Sequence, residues 1–231
     1  MTLTLYHHPL ASFCHKVLIA LYDNDTPFTG VIVDFGDEES RADFFALWPI
    51  GKIPVLRDDR LERTLPETSI IIEYIDQHYP GARALLPHDE SQRLETRLWD
   101  RIFDLYVQVP MQRIVSDRMR PDGEKDPRGA REAHAMLRTA YAMIDRRVSE
   151  KTWVMGEAFS MADCAAAPAL FYAGIVSPFA HDYPNVANYF DRLTGRPSFA
   201  RTLAEARPYF HLFPFRDDIP ARFLTDTSAA P

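Results

Sequence analysis

Residues 51–69 read GKIPVLRDDRLERTLPETS, and this stretch predicts a β-hairpin followed by a helix. Two short β-type runs flank a turn at residues 58–60, and the segment ends in polar helix-start residues. Pro54 stands directly before the first run, a position compatible with a cis peptide bond. A cis bond would turn the backbone of Ile53 outward as a strand-like edge for a peptide ligand. A trans proline that simply opens a strand is the alternative.

The residues before this stretch predict an α/β unit. Residues 3–6 alternate in polarity and indicate a short strand, and apolar residues at helical spacing follow from Phe13 to Leu21. Val31-Ile32-Val33 indicates a second strand parallel to the first, and residues 41–47 a short helix. A helix over 67–78 completes the pattern. The first 80 residues therefore predict the order βαβαββα.

The residues after this stretch predict a domain made only of helices. Residues 81–90 contain proline and glycine and are interpreted as a linker. Residues 91–231 then form an all-α domain, with a polar tail after Arg216. The apolar periodicity predicts five helices, namely a long one over 94–109 and further ones over 136–148, 160–174, 185–193 and 197–206. The predicted domains are thus 1–80 and 91–231.

Composition limits the classes of function. The chain has 231 residues and a net charge of −7, without a basic stripe, which argues against a nucleic-acid partner. It has no apolar run of about 18 residues, which argues against a membrane span. The start lacks the features of a secretory signal, and two cysteines do not make a disulfide framework. We therefore expect a cytoplasmic protein with a packed core.

The predicted helix start at residues 66–69 is a candidate anion site. Backbone N–H groups at a helix start attract anions, and the Thr68 hydroxyl could add a hydrogen bond to a carboxylate. Glu67 could pair with an ammonium group, so that the two ends of one amino acid would be bound together. The alternative is an ordinary helix cap, since Thr and Ser are favoured there.

The turn from the first strand into the first helix, residues 11–16, is the candidate catalytic loop. The Ser12 hydroxyl and the helix-start amides could stabilise a thiolate, or Ser12 could merely cap the helix. Cys14 could form a mixed disulfide or simply be buried. His15 is expected to be exposed. A metal site built with His7 and His8 is not expected, because adjacent strand residues point to opposite faces.

These motifs, in this order, resemble the cytosolic glutathione transferases. The resemblance rests on Gly51-Lys52-Ile53-Pro54-Val55, on Pro66-Glu67-Thr68-Ser69, and on residues 156–163, which match a Gly-x-x-x-Ser-x-Ala-Asp element. The resemblance covers roughly residues 3–207 and includes features similar to the zeta, omega and nu classes of that family. It implies a thioredoxin-like domain before a helical-bundle domain. It also implies glutathione as co-substrate, no metal, and a homodimer.

The resemblance also implies roles for individual residues. The glutathione-binding residues would be Phe13, Lys52, Ile53, Pro54, Glu67 and Thr68. Ser12, or alternatively Cys14, would be the catalytic residue, although the first Ser or Cys of the usual loop is Ala11 here. An acceptor pocket for the second substrate would use Leu10, Trp99, Phe103 and Tyr106. For the aromatic residues of the long helix, a plain core position is the alternative.

Three functions are compatible with this pattern. The first is a glutathione transferase that activates the thiol for attack on a small apolar electrophile. The second is a glutathione-dependent disulfide reductase or thiol transferase. The third, suggested by Ala11, is a non-catalytic glutathione-binding or regulatory protein.

Overall fold

The computed structural model describes residues 2–225, and its N-terminal part is a four-stranded sheet with packed helices. The strands are β1 (Leu3–His7), β2 (Thr29–Ile32), β3 (Val55–Asp58) and β4 (Arg63–Leu65). The helices of this part are α1 (Ser12–Asp23), α2 (Glu38–Leu47) and α3 (Thr68–His78). The predicted order βαβαββα is confirmed.

The sheet has the strand order β2-β1-β3-β4, with β1 and β3 in its interior. β1 runs parallel to β2 and antiparallel to β3. Leu3 and Leu5 on β1 are buried, whereas β2 lies at the edge and is exposed along its length. A central strand that ends in a tight turn into a helix presents that turn at the edge of the sheet. Residues 8–12 occupy this position.

The C-terminal part is helical, as predicted. Its helices are α4 (Glu90–Ile102), α5 (Val109–Met119), α6 (Pro127–Val148), α7 (Met161–Val176), α8 (Pro184–Thr194) and α9 (Pro197–Ala206). Three of them begin with proline, whose fixed φ and missing N–H suit the first helical position. Helix α7 begins with a capping box between Ser160 and Asp163, and nearly all its residues are buried.

The prediction of one long α-helix over 94–109 is wrong. Helix α4 ends at Ile102, residues Phe103–Gln108 form a π-helix, and α5 continues from Val109. Pro110 accounts for the change, because it has no N–H to donate and its ring would clash with the carbonyl of Tyr106 in a regular α-helix. The π-helix rotates the side chains that follow it, with consequences for the site.

The segment between the two parts makes hydrogen bonds to both of them. Leu85 and Leu86 are buried, the Leu85 N–H donates to Asp76 Oδ1 at 2.7 Å, and the Leu85 carbonyl accepts from the Met161 N–H at 2.9 Å. The domain limits 1–80 and 91–231, with a linker over 81–90, stay a prediction.

Helix α1 joins the two parts, since it packs on α3 and also on α7 and α9. At its C-terminal end Asp23 accepts two hydrogen bonds from Arg196, at 2.6 and 2.7 Å. A fork-shaped pair of this kind adds geometric specificity to its charge attraction. Within residues 2–225, no helix combines the length and the apolar character that crossing a bilayer requires.

Candidate functional site

The loop between β1 and α1 is fixed from three sides. The Tyr172 hydroxyl donates to the Leu10 carbonyl at 2.7 Å, and His15 Nε2 lies 2.5 Å from the Pro9 carbonyl. The Leu10 N–H donates to His8 Nδ1 at 3.1 Å. One contact within the loop, one to α1 and one to a helix of the other domain leave this loop little freedom. Ser12, the first residue of α1, is therefore presented from a rigid support.

Ser12 is 8% exposed, and its Oγ accepts a hydrogen bond from Gln108 Nε2. The N-cap of α1 is Ala11, which offers no side-chain cap. The alternative that Ser12 merely caps the helix is therefore wrong. Its hydroxyl instead lies between the π-helix and a cavity whose lining includes Ser12.

Cys14 does not have the properties of a reactive thiol. Its side chain is fully buried, and burial raises the pKa of the thiol to about 12. A thiol that stays protonated and out of solvent is a poor nucleophile. The buried position named as the alternative for Cys14 is the one observed, and a catalytic role for Ser12 stays a prediction.

The prediction that His15 is exposed is wrong, since its ring is fully buried. Burial lowers the pKa of His15 to about 4, so the ring is neutral at physiological pH. His7 and His8 also have lowered pKa values, mainly through burial. Within residues 2–225, no group of three or more His, Cys, Asp and Glu side chains is arranged to hold a metal ion.

One cavity of about 270 Å³ brings together the residues proposed to bind glutathione. Its lining includes all six, namely Phe13, Lys52, Ile53, Pro54, Glu67 and Thr68. The peptide bond between Ile53 and Pro54 is cis. Lys52 and Glu67 are exposed, so two different segments of the cavity lining contribute a cationic and an anionic side chain.

Glu67 has an unusual backbone conformation at the edge of this cavity. Its φ is +69°, in the left-handed region that non-glycine residues rarely occupy. Such a conformation costs of order 1–3 kcal/mol and is concentrated at functional sites. Glu67 is also the N-cap of α3 but makes no side-chain cap, so the first N–H groups of α3 are not covered by it.

A buried charge cluster lies behind the cavity, where α1 meets α4 and the π-helix. Lys16 is 1% exposed, and its Nζ lies 2.6 Å from Asp100 Oδ1 and 2.7 Å from Asp104 Oδ2. It also donates to Ser69 Oγ at 3.0 Å. Arg101 reaches Ser69 and Asp104 from the solvent side. Two cations and two carboxylates thus balance in charge at this contact.

A second cavity of about 560 Å³ adjoins the first and shares Phe13, Lys52, Ile53 and Gln112 with it. Its lining is mostly apolar and includes Leu10, Phe35, Met111, Val115, Met119, Tyr172, Leu212 and Phe213. Leu10, which was predicted for an acceptor pocket, is among the residues that line this cavity. The C-terminal aromatic run contributes Leu212, Phe213 and Pro214 to its roof, whereas Phe210 is in the core.

The other three residues predicted for an acceptor pocket do not line this cavity, and their role stays a prediction. Trp99 and Phe103 are 8% and 0% exposed and pack in the core, the alternative that the apolar periodicity had left open. Tyr106 is 45% exposed and does not line this cavity. The π-helix changes the phase of the residues that follow it, and of these Met111 and Val115 line the cavity.

Sequence reasoning missed several residues that line or support the site, above all Gln108, Asp104 and Arg101. Their signal was Pro110, which interrupts the predicted long helix and could have indicated a distorted segment before it. Trp48, at the end of α2, also lines the first cavity and gave no distinctive signal.

Comparison with known proteins identifies the family. The sequence model for the N-terminal domain of glutathione S-transferase matches residues 5–83, and that for the C-terminal domain matches residues 102–197. Glutathione S-transferase GstB of Escherichia coli (strain K12) is 26% identical over 199 residues, covering 85% of this chain and 95% of that protein. FtsZ-localized protein A of Caulobacter vibrioides (strain NA1000 / CB15N) is 30% identical over 215 residues, covering 89% and 92%.

A solved structure agrees with these sequence matches. The crystal structure of a glutathione S-transferase from Methylobacillus flagellatus KT with glutathione bound superimposes with a TM-score of 0.79 at 25% identity. The match covers 87% of this chain and 98% of that one. Both domain matches, the curated relatives and this fold agreement lead to one conclusion: the chain belongs to the glutathione transferase family of enzymes.

Proposed function

We propose that this protein binds glutathione in the 270 Å³ cavity and activates its thiol for attack on a small apolar electrophile held in the adjoining cavity. The observation that carries the proposal is the shared wall of the two cavities. Phe13, Lys52 and Ile53 line both, and the Ser12 hydroxyl lies beside them in the second. A sulfur atom at this boundary would have Ser12 on one side and an apolar acceptor on the other.

The polar groups of the first cavity suit the charges of glutathione. Glu67 would pair with the α-ammonium group, and the Thr68 hydroxyl and the N–H groups at the start of α3 would bind the adjacent carboxylate. The backbone of Ile53 would pair with the cysteinyl segment, as a strand edge does with a peptide. Lys52 would meet the glycyl carboxylate. Each end of the tripeptide then faces a group of opposite charge or a hydrogen-bond donor.

The chemistry proposed for Ser12 is stabilisation of the thiolate. The bound thiol releases its proton to solvent, and the Ser12 O–H donates to the resulting sulfur anion, which lowers the pKa of the thiol. The thiolate electron pair then forms a bond to the electrophilic carbon, and the leaving group departs with its own pair. The apolar lining of the second cavity favours an electrophile of low polarity. The protein supplies no covalent intermediate.

The Ser12→Ala variant tests this proposal. A hydrogen bond to a charged group contributes roughly 1–3 kcal/mol, so kcat/KM with an activated aryl halide should fall roughly 5- to 150-fold at neutral pH. Glutathione affinity measured by calorimetry should change little, because the clamp residues are intact. Unchanged turnover in Ser12→Ala would contradict the role of Ser12.

A non-catalytic binding function is the second candidate, and two observations favour it. Ala11 stands where many family members carry Ser or Cys, and a relative of 30% identity is named FtsZ-localized protein A rather than a transferase. Calorimetry that detects glutathione binding, together with no turnover across a panel of electrophiles, would select this function over the enzymatic one.

A disulfide reductase or thiol transferase is less well supported. Cys14 and Cys164 are both buried, and burial raises the pKa of each thiol, so a disulfide exchange would have to rely on glutathione alone. Reduction of hydroxyethyl disulfide at rates above those with aryl halides would favour this chemistry. Such a result would displace the transferase proposal.

A homodimer is proposed on the exposed apolar side chains of α3 and α4. Ile70, Leu94 and Leu98 are 53%, 68% and 56% exposed. The ion pair between Glu73 and Arg97, with distances of 2.7 and 2.5 Å, joins the two helices at the same place. Exposed apolar side chains close to an ion pair are typical of a contact surface.

Because the two thiols are buried and the protein is acidic, we also propose a cytoplasmic location.

A further inference from the structure

The side chain of Gln108 is buried in a place where a polar group needs a reason. It is 2% exposed and lies in the π-helix, pointing at the first turn of α1. Its Nε2 donates to Ser12 Oγ, while its Oε1 is buried and has no hydrogen-bond partner among the described residues. An unsatisfied buried acceptor costs about 1–3 kcal/mol. An apolar residue of similar size would avoid this cost, and the contact with Ser12 is the one hydrogen bond that this amide makes within the described residues.

The direction of this hydrogen bond decides what Ser12 can do. A hydroxyl has one hydrogen to donate and two lone pairs that accept. When Ser12 Oγ accepts from the amide, its own hydrogen is free and is turned away from Gln108. The other side of Ser12 is the wall of the second cavity. The O–H is thereby aimed at the boundary where the sulfur of glutathione would lie.

Gln108 is held in this position by a second contact, one turn away. Asp104 and Gln108 are four residues apart in the π-helix, and Lys16 and Ser12 are four residues apart in α1. The buried ion pair between Lys16 and Asp104, at 2.7 Å, therefore runs alongside the contact between Ser12 and Gln108. Two parallel contacts fix both the separation and the rotation of the two helices. The amide cannot easily drift away from the hydroxyl.

We propose that Gln108 is a positioning residue, which donates to Ser12 Oγ and thereby directs the Ser12 O–H toward the sulfur of bound glutathione. This inference rests on the proposed function, in which Ser12 stabilises the thiolate. Gln108 itself touches neither substrate. Its effect is exerted wholly through Ser12, and this property separates it from a residue that contributes to the cavity or to folding alone.

The test measures the ionisation of bound glutathione, through the ultraviolet absorbance of its thiolate as pH is varied. The variants are Gln108→Met, Ser12→Ala and the double variant, with Gln92→Met on the exposed surface of α4 as a control for the same replacement. Gln108→Met should raise the ionisation midpoint by about one pH unit, that is, lower the ionisation constant of the bound thiol about tenfold. Gln92→Met should leave the midpoint unchanged.

The double variant shows whether Gln108 acts through Ser12. The midpoint in Ser12→Ala should be raised, and adding Gln108→Met should raise it no further. A further rise in the double variant would overturn the inference, because Gln108 would then act independently. A raised midpoint in Ser12→Ala with an unchanged one in Gln108→Met would also overturn it while leaving the proposed function intact. An unchanged midpoint in Ser12→Ala would refute the proposed role of Ser12 and the inference with it.

A second variant, Gln108→Glu, keeps the inference testable if the methionine variant does not fold. An ionised carboxylate cannot donate, so it would accept the Ser12 hydrogen and add a negative charge near the sulfur. The midpoint should rise by more than one unit, that is, the ionisation constant of the bound thiol should fall by more than about tenfold. A midpoint equal to or below that of the unaltered protein would mean that Gln108 accepts from Ser12, and the proposed direction would be wrong.

Discussion

Individual residues of the β1–α1 loop differ sharply in environment although they are neighbours in sequence. Ser12 reaches a cavity, while Cys14 and His15 are fully buried. Helical geometry is the cause, since successive residues point in directions about 100° apart and only one face of α1 meets the cavity. Which side chains of this loop can reach the cavity is therefore determined by the direction in which each points from α1, more than by residue type.

Cys14 provides a direct test of this view. Cys14→Ala should retain glutathione-dependent turnover and lose about 1 kcal/mol of stability, because a small buried group is removed from the core. Turnover and urea unfolding measure these two effects. The unaltered protein should also resist alkylation at Cys14 until it is unfolded. Rapid alkylation of the native protein with loss of turnover would contradict the buried, inert role.

His15 should make stability depend on pH. Its pKa is about 4 in the folded protein and near 6.5 in the unfolded chain, so the unfolded state binds more protons between these values. Stability is full above about pH 6.5 and falls as pH drops toward 4, by about 2–3 kcal/mol over two units. Burial, the largest cause of the shift, disfavours the charged ring.

The variant His15→Gln isolates this effect. Glutamine can still donate to the Pro9 carbonyl but does not titrate, so the variant should lose less stability than the unaltered protein between pH 7 and pH 4.5. Urea unfolding at several pH values measures the difference. Parallel curves for the two proteins would mean that His15 is not responsible. His7 and His8 are retained in both proteins and do not affect the comparison.

At the scale of helices and strands, the sequence predicted what local periodicity encodes. The helix at 197–206 was predicted correctly, because its start and stop signals lie within a few residues of its ends. The π-helix was missed, since its hydrogen-bond pattern depends on how Pro110 is accommodated in a longer helix. The buried state of Lys16 was missed as well, because its two carboxylate partners lie more than 80 residues away in sequence.

The same difference between local signals and long-range packing applies to the candidate site. The six residues predicted to bind glutathione line one cavity, and they come from short motifs in one domain. The lining of the second cavity was less predictable, because it depends on the phase of α5 after the π-helix and on the path of residues 212–214. Both are set by packing between distant segments, and a single sequence carries little information about that packing.

The charge cluster between α1 and the π-helix should be essential for stability. Lys16→Met leaves Asp100 and Asp104 with only Arg101 to balance them and should cost about 3–5 kcal/mol, the usual effect of breaking a buried ion pair. Adding Asp104→Asn restores the charge balance and should recover part of that loss. Urea unfolding of the three proteins measures both steps. A double variant less stable than Lys16→Met would show that charge balance is not the cause.

At the scale of the whole molecule, α1 is the element on which the arrangement depends. It carries Ser12 at one end and Asp23 at the other, and it contacts α7 and α9 of the helical domain along its length. The first cavity is correspondingly built from both domains, with Arg101 and Val109 facing the clamp residues. A change in the relative position of the domains would alter the site even with every clamp residue in place.

The surface formed by Ile70, Leu94 and Leu98 makes the proposed homodimer testable at this scale. These side chains are more than half exposed and lie within three residues of Glu73 or Arg97 along α3 and α4. Leu98→Glu places a charge among apolar side chains that would face a second copy, and burying such a charge without a partner is costly. Sedimentation should show a dimer for the unaltered protein and a monomer for Leu98→Glu. The equivalent change on another face, Met143→Glu, should leave the assembly unchanged, since Met143 is also exposed but lies on α6.

A dimer that persists in Leu98→Glu would place the contact elsewhere, and a monomeric unaltered protein would contradict the proposed homodimer. If Leu98→Glu is a monomer, its affinity for glutathione shows whether the first cavity is complete without a partner chain. Both domains of one chain line that cavity.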